Sequence, residues 1–198
     1  MNIQPITEGN YYHIYNRGIN GEDIFKSQEN YAFFLKQYQL YCSDVLDTYA
    51  YSLLKNHFHL LVYVKEDVWV PKNNKQGMIR LNASKQLSHF FNSYAQSINW
   101  SVGRTGGLFE SPFERKHVDD ERYLDSMINY CHFNACKHGF VRDFRDWEYS
   151  SYHSILNKND GIVAVSKVLE LFGGDVSLFE KLHLERQMLN LNRYGIEK

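Results

Sequence analysis

Cysteine is scarce in this 198-residue chain: there are three, Cys42, Cys131 and Cys136, and no two stand at a CxxC or zinc-ribbon spacing. An odd, unpatterned set excludes a disulfide framework and a cysteine metal cage, so all three read as small core residues. Long apolar runs are missing too. None approaches the roughly 20 residues that a membrane helix needs, and the amino end, MNIQPITEGN, has neither the charged nor the apolar region of a signal peptide. The expectation is a cytoplasmic protein with no membrane partner. Nor does one sign of charge dominate: the formal net charge is -1, which argues against a strongly non-specific nucleic-acid binder.

The apolar content is ample, at 43% hydrophobic and 16% aromatic residues, and supports one compact domain with a real core. The small net charge hides an asymmetry. Between residues 71 and 118, Lys72, Lys75, Arg80, Lys85, Arg104, Arg115 and Lys116 face only Glu110 and Glu114, a local balance of +5 that leaves the remainder at -6. A bias of this size is usually a solvated surface, and it acquires a function only if a fold collects it.

Secondary-structure signals alternate along the chain, without internal repeats or low-complexity segments. Residues 11–19 (YYHIYNRGI) predict a strand ending in a turn at Gly18, and 27–42 a helix begun by Ser27 with Tyr31, Phe34, Leu35, Tyr38 and Tyr41 at helical spacing. Residues 46–54 and 58–64 predict two strands joined by a tight Lys55-Asn56 turn. A polar loop (67–76), a long amphipathic helix (78–98), a strand interrupted by Pro112 (108–118) and a helix (119–137) follow. The order βαββαβα predicts an α+β fold, a ferredoxin-like, RRM-like antiparallel sheet with helices on one face. Residues 1–156 are expected to form the main domain. Residues 157–198, with helices over 162–172 and 176–191 split by Gly173-Gly174, are expected to form a helical extension packed on it.

The stretch KNHFHLLVYV (55–64) puts two imidazoles at the mouth of an apolar strand. Alternate strand residues share a face, so His57 and His59 project together and Phe58 and Leu60 go to the other side. Such a pair can share a metal ion, although an HxH also occurs by chance in a chain with 9 histidines. In the helix after Asp119, Tyr130 and Asn134 stand one turn apart beside a stripe of Leu124, Met127, Ile128, Cys131 and Ala135. Two imidazoles and an amide oxygen suit Mg²⁺ or Mn²⁺ with open positions for phosphate oxygens. A phenol beside that ion could attack a phosphodiester and keep the bond energy as phosphotyrosine, with no nucleotide cofactor.

The collinear blocks YHIYNRG (12–18), Ile24-Phe25, YAYSLLKNHFHLLV (49–62), GGLFESPFERKHV (106–118), YLDSMINYCHFNACKHGFV (123–141) and WEYSSYHSIL (147–156) together resemble the REP-associated tyrosine transposases. These are single-tyrosine HUH transposases related to insertion-sequence enzymes of the IS-two-hundred type. The resemblance implies that His57 and His59 are the metal ligands, Asn134 the third ligand and Tyr130 the nucleophile. It implies cleavage of single-stranded DNA beside a folded hairpin through a 5′-phosphotyrosine link with Mg²⁺ or Mn²⁺, by a monomer or homodimer. The family pattern usually has proline after that asparagine, where this chain has Ala135.

With that resemblance, Arg17, Arg80, Lys85, Arg104, Arg115 and Lys116 become candidate DNA contacts, and Phe109 and Phe113 candidate stacking surfaces, core packing being the commoner role for the two phenylalanines. Three readings stay open: an active nuclease and strand transferase, a domesticated hairpin-binding protein without transposition activity, and a metal-stabilised module that binds no nucleic acid.

Overall fold

The computed structural model describes residues 4–72 and 76–194. Lys75, one of the basic side chains counted above, lies outside them.

Strands β1 (Tyr11–Arg17), β2 (Leu46–Leu54), β3 (His57–Val64) and β6 (Glu114–Val118) form one antiparallel sheet in the order β2-β3-β1-β6. This is the expected ferredoxin-like arrangement. Helices α1 (Gln28–Cys42) and α2 (Ala83–Ser101) cover one face, where Phe58 meets Phe34 of α1 at 5.1 Å and Phe91 of α2 at 5.5 Å between ring centroids. Phe34, Phe58, Phe90 and Tyr94 are fully buried there. Truncating such a ring to alanine typically costs about 3–5 kcal/mol, so this aromatic layer anchors one face of the sheet. Ser27 caps α1 in a capping box with Asn30, whose side-chain oxygen accepts from the Ser27 amide at 3.2 Å.

The other face carries α3 (Leu124–Lys137), packed on β2 and β3. Helices on one face therefore describes α1 and α2 alone, while α3 crosses the histidine face. Ala135 lets the helix run on: it extends to Lys137, and the Ala135 carbonyl accepts from the Phe140 amide at 2.9 Å. Behind α3 lie α4 (Tyr152–Leu156), α5 (Val165–Glu170) and α6 (Val176–Tyr194). Helix α6 reaches α3 through an Arg186–Asp125 ion pair and a His183–His132 hydrogen bond.

Several boundaries differ from the sequence reading, among them the start of α3 at Leu124 rather than Asp119. The loop expected over 67–76 contains β4 (Trp69–Pro71), which pairs with β5 (Met78–Arg80) as a small separate hairpin. The helix expected from Met78 therefore begins at Ala83, where the Asn82 side chain accepts from the Lys85 amide at 3.0 Å. Of the strand expected over 108–118, residues 114–118 pair with β1, with Pro112 just outside the ladder because it has no amide hydrogen to donate. Finally, α5 begins only at Val165, since Val163 forms a bridge with Thr48 of β2 and the Ala164 amide donates to the Thr48 carbonyl at 2.9 Å.

The turn after β1 depends on Gly18. A β-carbon there would come within 2.0 Å of the Glu22 carbonyl oxygen, closer than atoms pack. The Gly18 amide in turn donates to the Asn56 carbonyl at 2.8 Å, tying the end of β1 to the β2–β3 turn that precedes His57.

Candidate functional site

Register decides which side chains share the histidine face. Tyr15 lies opposite His59, and His13 lies opposite Leu61 on one side and Lys116 on the other. His13, Tyr15 and Arg17 thus join His57 and His59. The two predicted imidazoles stand with ring centroids 5.3 Å apart and planes nearly perpendicular. Asn56 Oδ1 lies 2.7 Å from His57 Nδ1, and His13 Nε2 lies 2.9 Å from His59 Nδ1. Each inner nitrogen has a partner. An amide oxygen can only accept, so His57 carries its proton on Nδ1 and leaves Nε2 as a lone pair. That Nε2 is buried and has no hydrogen-bond partner among the described residues.

Helix α3 brings the remaining two predicted residues. Asn134 is fully buried, its nitrogen donates to the Tyr130 carbonyl at 3.3 Å, and its Oδ1 has no partner among the described residues. A buried, unpaired carbonyl oxygen costs about 1–3 kcal/mol if nothing binds it. The Tyr130 ring sits edge-on to His59 and His13, each 5.8 Å away between centroids, with Lys137 Nζ 5.0 Å from its centre. Among the described residues its hydroxyl has no hydrogen-bond partner.

Burial keeps the imidazoles neutral. It pushes His59 down to about 2, helped by His13 and His57, and His57 down to about 4, helped by His138, Arg17 and Lys137. His13 falls to about 4 through burial and then Lys116. At neutral pH these rings offer lone pairs rather than charge.

Tyr130 forms a wall between two cavities. One, of about 480 Å³, holds His57, Arg17, His138 and Glu114; the other, of about 510 Å³, holds His13, Lys116, Tyr123 and Met127. Tyr15 and His59 line both. The structure therefore brings Tyr130, His57 and His59 together, with Arg17 and Lys116 at the rims, while Asn134 sits buried one helical turn from Tyr130 and lines neither cavity.

The other four predicted cations line neither cavity. Arg80 sits on the small hairpin, paired with Glu8 at 2.7 Å and Asp67 at 3.5 Å. Arg104 is taken up locally by the Gly107 carbonyl at 2.6 Å, Asn99 at 3.2 Å and Glu22 at 3.2 Å. Lys85 is exposed in the first turn of α2. Arg115 lies on the opposite face of β6 from Lys116, 4.0 Å above the Phe113 ring centre. Phe109 and Phe113 are both half-buried against Phe91.

Sequence reasoning did not assign His13, Asn56 or His138, whose ring centre is 4.7 Å from that of His57. For His13 a signal existed: it alternates with Tyr15 and Arg17 on β1. Its meaning required knowing that β1 pairs with β3.

No family model matches this chain. A curated Haemophilus influenzae protein named as a REP-associated tyrosine transposase is 28% identical over 112 residues, covering 54% of this chain and 59% of the relative, so the chain spans little over half of that relative's length. The solved structure of a REP-associated tyrosine transposase bound to a REP hairpin aligns over 83% of this chain and 88% of its own, with a TM-score of 0.61 and 13% identity. The second comparison shows the shared fold. Together they bear out the resemblance drawn from the motif blocks.

Proposed function

We propose that this chain is a metal-dependent single-stranded DNA endonuclease and strand transferase, related in mode to the REP-associated tyrosine transposases, that cuts beside a DNA hairpin through a 5′-phosphotyrosine intermediate. The observation that carries the reading is a coincidence of unsatisfied groups. Among the described residues the buried Nε2 of His57 and Oδ1 of Asn134 both lack partners, and the unbonded phenol of Tyr130 shares a cavity with His57 and lies one helical turn from Asn134.

These donors fit a divalent cation. Among the described residues no three His, Cys, Asp or Glu side chains group into an ion site, so the third protein ligand would be an amide oxygen, a hard donor suited to Mg²⁺ or Mn²⁺. His57, His59 and Asn134 would hold the ion, with Asn56 and His13 fixing the rings from behind. When bound, it would polarise the phosphodiester and stabilise developing negative charge.

The protein's own groups do the rest. Tyr130 supplies the oxygen that bonds to phosphorus, the bond from phosphorus to the 3′-oxygen breaks, and the proton lost by the phenol is balanced by the one gained at the freed 3′-hydroxyl. Reversal needs only that hydroxyl, so strand transfer consumes no cofactor. Arg17, half-exposed beside the cavity and paired with Glu110 at 3.3 Å, and Lys116 would meet backbone phosphates. The working partner is a hairpin with unpaired flanks, bound by a monomer or homodimer.

The test is a denaturing-gel search for a Mn²⁺-dependent covalent adduct with labelled hairpins carrying unpaired flanks. The parent should form one. Tyr130→Phe should lose at least about a thousandfold in rate while hairpin binding persists. Normal adduct formation by that variant would exclude Tyr130 as nucleophile, and salt-sensitive hairpin binding without any adduct would favour a hairpin-binding protein that does not cut.

A further inference from the structure

A third cavity, of about 530 Å³, opens on the far side of the sheet edge between α2 and the segment before β6. It shares Asn16 and Glu110 with the cavity that contains His57. The two therefore adjoin at one junction, where the Asn16 amide donates to the Glu110 carbonyl at 3.0 Å and the Glu110 carboxylate is neutralised by Arg17.

The wall supplied by α2 has an unusual chemistry. Ser84, Ser88, Asn92 and Gln96 recur at every fourth position, so one stripe of the helix carries only uncharged hydrogen-bonding side chains. Asn92 and Gln96 are exposed, and among the described residues neither amide has a hydrogen-bond partner. The opposite wall presents Phe113 with Arg115 stacked on it. Arg115 donates from Nη2 to the Phe113 carbonyl at 3.0 Å, and among the described residues its buried Nε has no partner and it forms no salt bridge, unlike Arg17, Arg80 and Arg104.

We propose that this groove binds the unpaired nucleotides next to the scissile phosphate, with Asn92 and Gln96 reading base edges and the Phe113–Arg115 stack supporting a base face. The inference rests on the DNA reading above and locates its sequence discrimination. Free amides offer a donor and an acceptor side by side, the pairing that base edges require, whereas duplex backbone demands several cations. Arg115 is the one cation among the described residues lining the groove. Planar side chains with an arginine are the means by which single strands are held.

The experiment uses the full chain and a pool of synthetic DNA hairpins with randomised unpaired flanks, set against the same hairpin without flanks. Retained strands are sequenced and affinities measured by fluorescence anisotropy. Asn92→Ala with Gln96→Ala alters two exposed helical positions where alanine favours the helix. The parent should enrich a flank sequence. The double variant should bind the bare hairpin as the parent does, lose that enrichment, and bind the selected flanked hairpin about 5- to 100-fold more weakly. Arg115→Gln should weaken all flanked hairpins alike and lower the salt slope by about one. If the double variant enriches the same flanks with unchanged affinity, the groove assignment falls while the DNA reading stands. If the parent retains no DNA, both fall.

Discussion

The molecule contains two buried histidine pairs, each joined by a 2.9 Å hydrogen bond, and they differ in what is left over. In the pair beneath α3, His183 donates from Nδ1 to the Phe179 carbonyl at 2.8 Å, accepts at Nε2 from His132, and His132 Nε2 accepts from the Ser151 hydroxyl at 2.7 Å. Every ring nitrogen is satisfied. That chain ties α3, α6 and the start of α4 together. On the sheet face the same kind of pair stands beside His57, whose buried Nε2 is unused among the described residues, and meets the ring of Tyr130, one turn from Asn134, whose buried Oδ1 is likewise unused. The difference teaches that a histidine cluster becomes a candidate for binding when its lone pairs outnumber its donors, and a structural clip when they match.

The comparison can be broken from either side. The largest effect is expected from His57→Ala, which removes a candidate ligand and should weaken Mn²⁺ binding, followed by calorimetry, by more than about 100-fold, beyond the loss expected for an outer partner. Unchanged Mn²⁺ affinity would remove His57 from the site. Next comes His13→Phe, which keeps a ring on β1 but deletes the acceptor for His59 Nδ1. Mn²⁺ affinity should fall about 10- to 100-fold, with partial rescue by His13→Gln, which restores an acceptor. Equal loss in both variants would point to packing instead.

His183→Leu should act on the other pair alone, costing about 1–3 kcal/mol by stranding His132 Nδ1 and leaving Mn²⁺ affinity unchanged. A denaturant titration reads the first and calorimetry the second; a shift in metal affinity would show the two pairs to be coupled. The smallest effect is on pH dependence. Burial lowers His183 from 6.5 to about 4 in the fold, so between those values the unfolded chain binds the extra proton. Its contribution is complete above pH about 6.5 and is lost as pH falls towards about 4. The slope of stability against pH in that window should therefore be shallower in His183→Leu.

Much of the site was legible because its signals are local. Alternation placed His57 and His59 on one face, and helical spacing put Tyr130 and Asn134 together. His13 was not legible, since its partner is 46 residues away in sequence and only β1–β3 register joins them. Charge counting misplaced emphasis for a related reason. Arg104 and Arg80 look like free cations in the sequence, but Glu22, Glu8 and Asp67 come from distant segments to pair with them. The 69–80 hairpin escaped because three-residue strands carry too short a pattern to distinguish from a loop or the first turn of a helix.

By itself, then, the sequence determined the βαββαβα order and the aromatic stripe that buries one sheet face, because residue periodicity and apolar burial act over a few neighbouring positions, and the resemblance of its motif blocks named four candidates for the proposed chemical centre. Only the tertiary structure decided which lone pairs remain unsatisfied, which cations are neutralised, and that the amide stripe of α2 adjoins the histidine cavity. Those facts depend on partners brought in by strand pairing and helix docking, and a hydrogen bond is made or missing only once both of its ends have been placed.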